Sequence, residues 1–257
     1  MADALILFIS DLHLSPNTPE LNSLFLEFLT KHARAAQQLF ILGDLFDAWP
    51  GDDCLDDPDD AWARQIVHAL RALSDSGVAI SLLHGNRDFL LGEDFAARSG
   101  VRLLNEPYLL SLPSWQFVLT HGDSLCTDDH AYQAFRQQVR QTEWRRDFLQ
   151  QSLKQRKAIA ASLRQESEAH KRDKAAYLMD VNLATSEDFL RANGYATCIH
   201  GHTHRPATHH HIVDGIHVER WVLADWNSQA GEYLAWNGKD LHRQAFGHAG
   251  LLTEKTL

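Results

Sequence analysis

The stretch LFILGDLFD, residues 39–47, contains the pattern that decides the fold. Four apolar residues, Leu39–Leu42, are followed directly by Gly43 and Asp44, which is typical of a buried strand that ends in a polar loop. Apolar residues then recur at helical spacing in Ala61–Leu73. The stretch therefore predicts one strand, loop and helix unit with a carboxylate at the end of the strand.

The same plan occurs on either side of this unit. Leu5–Ser10 is an apolar run that ends at Asp11-Leu12-His13, and Val78–Leu83 ends at Gly85-Asn86-Arg87-Asp88. The helical segments that follow these two runs are Leu21–Ala36 and Glu93–Arg98. Three such units in succession predict an α/β fold with polar residues gathered at the carboxyl ends of the strands.

The pattern changes after about residue 101 to short extended runs, which predict a second sheet. These runs are Arg102–Leu104, Tyr108–Leu112, Gln116–Thr120, Cys198–His200, His217–Leu223 and Glu232–Trp236. Between them, residues from about 129 to 181 have the spacing of helices. Tyr132–Val181 carries 11 Lys and Arg against 6 Asp and Glu, so its net charge is about +5 and that of the remainder about −15. We interpret it as a basic helical insertion, or lid, in a single domain spanning residues 1–257.

Composition excludes several classes of protein. With 257 residues, 44% hydrophobic and 23% charged, the chain has the composition of an ordinary globular domain. The net charge, 24 − 34 = −10, disfavours binding to nucleic acid. The apolar runs are far shorter than the roughly 20 residues that span a bilayer. The three cysteines form no CxxC pair, and the start lacks the pattern of a secretory signal, so we expect a cytoplasmic protein without a thiolate metal site.

Sixteen histidines are far more than a chain of this length normally carries, and their positions indicate a metal centre. Five segments end an apolar run with residues of the type that bind metals. The seven candidate ligands are Asp11, His13, Asp44, Asn86, His121, His202 and His204. Because strand residues two apart point to one side, we expect Asp11 to pair with His13, and His202 with His204.

Seven ligands are too many for one ion, and they suit two ions roughly 3.5–4 Å apart with a carboxylate between them. Asp44 is the natural bridge, since Gly43 lets the backbone approach closely. Two divalent ions would leave an excess of about two positive charges, which attracts phosphate and favours phosphoester or phosphoanhydride hydrolysis. The donors suit manganese, iron or zinc, and ligand type does not choose among them.

The five blocks, in this order along the chain, resemble those of the calcineurin-like metallophosphoesterases. The blocks are Asp11-Leu12-His13, Gly43-Asp44-Leu45-Phe46-Asp47, Gly85-Asn86-Arg87-Asp88, His121-Gly122-Asp123 and Gly201-His202-Thr203-His204. The resemblance implies a two-sheet sandwich flanked by helices. It also implies that Asp11, His13, Asp44 and His204 hold one ion and that Asp44, Asn86, His121 and His202 hold the other.

Longer matches resemble the branch of this family that acts on UDP-2,3-diacylglucosamine in lipid A biosynthesis. They are residues 85–92, 121–129, 179–182 and 200–206. The resemblance implies two Mn²⁺ ions, attack at the α-phosphorus, and substrate contacts from Asn86, Arg87, Asp129, Ser167, Lys174 and His202. Arg87 stands where other members of the family commonly have histidine, and Lys171 where a small polar residue is expected. The expected catalytic residues are Asp44, Asn86, Arg87 and His121.

Alternatives remain for the insertion, for an acidic segment and for the function. The apolar side of the insertion could cover acyl chains, or Tyr132, Phe135, Val139 and Trp144 could simply pack it onto the domain. Its basic side predicts peripheral association with the cytoplasmic face of the inner membrane. The acidic run at residues 51–60 lacks the spacing of a calcium loop and is interpreted as a solvated loop. The alternative functions are a broad phosphodiesterase or nucleotide hydrolase and a non-catalytic binding protein. A non-catalytic binding protein would be expected to have lost some of the seven candidate metal ligands.

Overall fold

The computed structural model describes residues 5–173 and 180–247, without the side chains of residues 166–173. Within this part of the chain, two sheets pack face to face and helices cover their outer sides. The elements, in chain order, are β1 (Ile6–Ile9), α1 (Pro19–Lys31), β2 (Gln38–Ile41), α2 (Ala61–Asp75), β3 (Ala79–Leu83), α3 (Glu93–Ser99), β4 (Arg102–Leu104), β5 (Tyr108–Ser111), β6 (Gln116–Leu119), α4 (His130–Val139), α5 (Thr142–Leu149), α6 (Leu153–Asp173), α7 (Leu183–Ala192), β7 (Thr197–His200), β8 (Ala207–Val213), β9 (Ile216–Val222), β10 (Ala230–Trp236) and β11 (Leu241–Gly247).

Parallel strands form the centre of both sheets. The first sheet has the order β11-β10-β1-β2-β3-β4, with β1 to β4 parallel and β10 antiparallel to β1. The second has the order β5-β6-β7-β9-β8, with β6, β7 and β9 parallel. The α/β prediction and the prediction of a second sheet are confirmed.

Two strands that were expected in the second sheet lie in the first. β4 pairs in parallel with β3, and β10, which contains the predicted run Glu232–Trp236, lies beside β1. A run as short as Arg102–Leu104 has too few residues to show which sheet it joins. Helix α3 makes it the last strand of a third crossover unit, and such units extend the same sheet.

The strands of the first sheet are buried on both faces, which explains their unbroken apolar sequence. In β1, Leu7 and Ile9 face the helices, whereas Ile6 and Phe8 face the second sheet. The helix side is completed mainly by α1 and α2, and the region between the sheets is filled by residues of β5, β6 and β7. This double burial fixes the ends of the strands, and therefore the loops that follow them.

The predicted helical insertion contains α4, α5 and α6. The sequence did not predict α7, which packs its buried Leu190 against Val118 and Cys198 on the outer face of the second sheet. The side chain of Asn182 caps α7 by accepting a hydrogen bond from the backbone N–H of Thr185 at 3.0 Å. None of the helices in the described residues is long and apolar enough to cross a membrane.

Candidate metal centre

Five loops meet at one edge of the sandwich, each following a parallel strand. They follow β1, β2 and β3 of the first sheet and β6 and β7 of the second. The backbone N–H of Asp11 donates to the carbonyl of Gly43 at 3.2 Å, and that of Gly201 donates to the carbonyl of His121 at 2.9 Å. Nδ1 of His121 donates across the two sheets to the carbonyl of Leu42 at 2.8 Å. These bonds bring all seven predicted ligands to one place.

The first cluster consists of Asp11, His13 and His204. Nε2 of His204 lies 3.3 Å from Oδ1 of Asp11 and 3.3 Å from Nε2 of His13. Oδ2 of Asp11 accepts a hydrogen bond from the backbone N–H of His202 at 2.9 Å. Oδ1 of Asp11 and Nδ1 of His13 are buried and have no hydrogen-bond partner among the described residues. Because an unpartnered buried carboxylate oxygen is costly, these atoms fit a cation.

The second cluster consists of Asn86, His121 and His202. Oδ1 of Asn86 lies 3.0 Å from Nε2 of His121 and 2.9 Å from Nδ1 of His202. Because Nδ1 of His121 is committed to a backbone carbonyl, its Nε2 is the nitrogen that faces the cluster. Burial lowers the pKa of His121, but Asp44 and Asp11 outweigh it and raise this pKa to about 9, so a cation here would have to displace a proton. Burial lowers the pKa of His202 to about 3, so this imidazole is neutral and can act as a ligand.

Asp44 lies between the two clusters. Its Oδ2 lies 3.8 Å from Nδ1 of His13, and its Oδ1 lies 3.8 Å from Nε2 of His121. Burial raises the pKa of Asp44 well above its usual range, and the neighbouring carboxylates of Asp88 and Asp11 raise it further. A carboxylate in this position is stabilised in its charged form by a cation on either side.

Five of the seven candidate ligands have left-handed backbone conformations. The φ angles are 56° for Asp11, 51° for His13, 52° for Asp44, 65° for His202 and 54° for His204. The expectation that strand alternation pairs these ligands is therefore wrong, since all five lie beyond the last residue of a strand. Asp11 and His13 share a cluster, whereas His202 and His204 lie in different ones. Their positions come from loops in a conformation that costs free energy for residues other than glycine, and such strain is concentrated at functional sites.

Two further features keep the loops close together. The buried carboxylate of Asp88 accepts hydrogen bonds from the backbone N–H groups of Gly85 and Leu45, both at 2.8 Å, and of Asp44 at 3.3 Å. Asp88 thus ties the loop after β2 to the loop after β3. A Cβ on Gly85 would lie 2.0 Å from Oδ1 of Asp44, and one on Gly201 would lie 2.1 Å from Oδ2 of Asp11. Only glycine allows these approaches.

A cavity of about 610 Å³ joins the centre to helices α4, α5 and α6. The candidate ligands His13, Asp44, Asn86, His202 and His204 line this cavity, together with the predicted substrate residues Arg87 and Asp129. The other predicted substrate residues, Ser167 and Lys174, and also Lys171, have side chains outside the described part of the structure.

The cavity also contains arginines that sequence reasoning missed. Arg164 on α6 and Arg205 after the last block both line it, and Arg164 forms an ion pair with Asp47 at 3.0 Å. No motif marks Arg164, because its position depends on how α6 packs. The only hint in the sequence that this part of α6 faces the cavity was the apolar pair Ala160 and Leu163 beside Arg164.

The acidic run at residues 51–60 is solvated at Asp53, Asp56 and Asp59, as expected, but it also pairs with α6, which the sequence did not predict. Arg156 of α6 is 2% exposed and donates to Oδ1 of Asp53 at 2.9 Å, with a second bond to the other oxygen. Lys157 lies 2.8 Å from Asp57 and 2.7 Å from Asp60. The run is the surface on which the basic helix α6 is held.

The comparison with known proteins agrees with this geometry. The model of the calcineurin-like phosphoesterase family matches residues 4–206. The UDP-2,3-diacylglucosamine hydrolase of Aromatoleum aromaticum is 50% identical over 232 residues, which cover 90% of this chain and 93% of that protein. Proteins of the same name from Chromohalobacter salexigens and Pseudomonas aeruginosa are 47% and 44% identical, covering 88% and 93% of this chain and 90% and 98% of their own. The chain therefore belongs to the calcineurin-like phosphoesterase family.

Proposed function

We propose that this protein hydrolyses the pyrophosphate bond of UDP-2,3-diacylglucosamine in lipid A biosynthesis. Water attacks the α-phosphorus and releases UMP and 2,3-diacylglucosamine 1-phosphate. The observation that carries the proposal is one cavity that is lined both by candidate metal ligands and by apolar side chains of the helical insertion. The relatives that match about nine tenths of the chain are named for the same substrate.

The centre is proposed to hold two Mn²⁺ ions, and family membership together with the clustered oxygen and nitrogen donors supports divalent metal binding. Asp11, His13, Asp44 and His204 hold one ion, and Asp44, Asn86, His121 and His202 hold the other. When bound, the pair of ions activates water near neutral pH and offsets negative charge on the phosphate oxygens. The donor set lacks thiolate, which is compatible with manganese as with iron or zinc, and the choice of Mn²⁺ rests on the resemblance to the branch of the family that acts on UDP-2,3-diacylglucosamine.

Arg87 has two roles in this proposal. Its backbone N–H donates to Oδ1 of Asp44 at 2.8 Å, which holds the bridging carboxylate in place. Its side chain lines the cavity, where a guanidinium can hold a phosphate group through two parallel hydrogen bonds. Asp129 caps α4 by accepting from the backbone N–H of Tyr132 at 3.1 Å, so it lies where α4 meets the cavity. We propose that four further residues contact the substrate together with Arg87 and Asp129: Asn86, His202, Ser167 and Lys174.

The apolar part of the cavity lining supports a substrate with acyl chains. Phe135 on α4, Trp144 and Phe148 on α5 and Leu163 on α6 line it, and the rings of Trp144 and Phe148 stack with centroids 4.9 Å apart. Val139, by contrast, is buried and serves to pack α4. The helical insertion is thus proposed to act as the lid over the acyl chains.

Peripheral association with the cytoplasmic face of the inner membrane is part of the proposal, because a diacylated substrate resides in a membrane. The basic charge of the insertion supports it, although Arg156, Lys157 and Arg164 are paired with carboxylates. Flotation with anionic vesicles and with neutral vesicles, in low and high salt, tests this point. Equal flotation with both kinds of vesicle would contradict an electrostatic contribution.

The substrate is tested by following hydrolysis with phosphorus NMR, using protein stripped of metal with a chelator. We expect UMP and 2,3-diacylglucosamine 1-phosphate to appear only after Mn²⁺ is added. In water enriched in oxygen-18, the label should enter UMP, because the α-phosphorus is attacked. A simple aryl phosphodiester serves as the comparison substrate.

Three results would contradict the proposal. Label in the sugar phosphate would place the attack on the other phosphorus. Turnover without any metal would remove the metal assignment. Faster cleavage of the aryl phosphodiester than of the diacylated sugar nucleotide would favour a broad phosphodiesterase.

A further inference from the structure

One side of α4 contacts the loops that supply the second cluster. Tyr132, Arg136 and Arg140 are four residues apart, so they lie along one side of the helix. The ring of Tyr132 stacks on that of His202 with centroids 5.8 Å apart. Arg140 donates to the carbonyl of Gly85 at 2.9 Å, one residue before the asparagine of the cluster.

Arg136 reaches the loop of His121 through two carboxylates. Its Nε donates to Oδ2 of Asp123 at 2.8 Å, and its terminal nitrogen donates to Oε2 of Glu106 at 3.3 Å. The other oxygen of Glu106 accepts from the backbone N–H of His121 at 2.6 Å. Asp123 is fully buried and also accepts from the hydroxyl of Tyr132 at 2.6 Å. One guanidinium therefore bridges the two carboxylates, Asp123 and Glu106, that hold this loop.

The contacts that hold the first cluster come from other parts of the chain than α4. Nδ1 of His204 lies 3.5 Å from Oδ2 of Asp225, which belongs to the segment between β9 and β10. The backbone N–H of His13 donates to the carbonyl of Asp44 at 3.0 Å, within the loops of the first sheet. A change on α4 should therefore affect the second cluster selectively.

We propose that Arg136 and Arg140 are positioning residues of the metal centre, which fix the second cluster from helix α4 and so set its affinity for a divalent cation. This inference rests on the proposed assignment of two metal ions. A role through charge alone predicts the opposite sign, because removing a nearby positive charge strengthens the binding of a cation. Loss of positioning weakens it.

Mn²⁺ binding to the full chain, stripped of metal, provides the test. The decrease in the electron paramagnetic resonance signal of free Mn²⁺ gives the affinity and the number of bound ions. The same titration in a His13→Ala background, which removes a donor of the first cluster, isolates the second. Arg140→Ala and Arg136→Ala are expected to weaken the second cluster by roughly tenfold or more, in the range usual for residues that orient metal ligands.

Two further variants separate positioning from folding. Arg136→Lys keeps the positive charge but loses the forked geometry, and it should weaken Mn²⁺ binding less than Arg136→Ala does. Gln137→Ala is a matched control on the exposed side of the same helix and should bind both ions as the wild type does. Circular dichroism checks the fold of every variant. If Arg136→Ala does not fold, Arg140→Ala and Arg136→Lys still carry the test.

The outcomes distinguish the inference from the proposed function. Two ions in the wild type, with selective weakening of the second cluster and recovery of turnover at high Mn²⁺, support the inference. Unchanged or tighter binding in Arg140→Ala and in both Arg136 variants would overturn it and leave the two-metal centre intact. Fewer than two ions in the wild type would overturn the metal assignment itself.

Discussion

Replacing Asp88 with alanine should reduce the stability of the protein even though this carboxylate is not a proposed metal ligand. Its oxygens accept two hydrogen bonds of 2.8 Å, from the backbone N–H groups of Leu45 and Gly85, and a longer one of 3.3 Å from Asp44. Asp88 is fully buried, so water cannot replace the lost acceptor. The loops that carry Asp44 and Asn86 would lose the hydrogen bonds from Asp44 and Leu45 to Asp88, and would keep the one from Arg87 to Asp44.

The magnitude follows from the two short bonds. Hydrogen bonds to charged groups contribute about 1.5–3 kcal/mol each, so two give about 3–6 kcal/mol. Burial raises the pKa of Asp44, His121 lowers it, and the negative charge of Asp88 raises it by a smaller amount. Removing the repulsion between Asp88 and Asp44 therefore offsets part of the loss. We therefore expect the free energy of unfolding of Asp88→Ala to fall by about 4 kcal/mol, a large part of the roughly 5–15 kcal/mol typical of a domain.

Urea unfolding of the metal-free protein, followed by circular dichroism, measures this difference without a contribution from metal binding. Asp88→Asn keeps one acceptor oxygen and should lose roughly half as much. Asp75→Ala is a matched control, since Asp75 is exposed and lies 3.8 Å from Arg71 on the same helix. A loss below about 1 kcal/mol in Asp88→Ala, comparable to that of an ordinary surface substitution, would refute the argument.

Three other substitutions test the centre and the cavity. Gly85→Ala places a Cβ 2.3 Å from the backbone nitrogen of Asp44. Steady-state kinetics should therefore show kcat/KM reduced by about 100-fold in a folded protein. Wild-type kinetics would contradict the close approach. Arg87→Ala should raise KM and lower kcat while metal analysis still finds both ions, and loss of the ions would show that its role is different. Arg156→Ala removes a buried cation whose partner Asp53 is exposed and stays solvated, so the main loss is the hydrogen bond to the buried carbonyl of Pro50. Urea unfolding should show a loss of about 1.5 kcal/mol, and an unchanged midpoint would refute that contribution.

The sequence predicted which side chains gather at the centre because a strand end can be recognised from local pattern. Leu39–Leu42 followed by Gly43 and Asp44 is such a pattern, and the other four blocks repeat it. The left-handed backbone at Asp11 and His13 was not predictable in this way, because both residues are compatible with extended structure. Their role as ligands stays a prediction until metal is measured.

Contacts between distant parts of the chain account for most of what the sequence did not predict. The pairing of Asp53 with Arg156 joins residues 103 apart, and the bond from Arg136 to Glu106 joins residues 30 apart. Each of these residues has the ordinary appearance of a surface charge in the sequence. Charge patterning indicated a basic helix and an acidic run but not that one is held on the other.

The acidic run that holds α6 has a consequence for protein engineering. Arg156 and Lys157 are neutralised by carboxylates from residues 53–60, so the helical insertion does not contain all of its own partners. Transplanting residues 130–173 alone into another phosphoesterase would leave a buried arginine without its carboxylate. A functional graft must carry residues 51–60 as well, so that Arg156 and Lys157 keep the carboxylates that neutralise them.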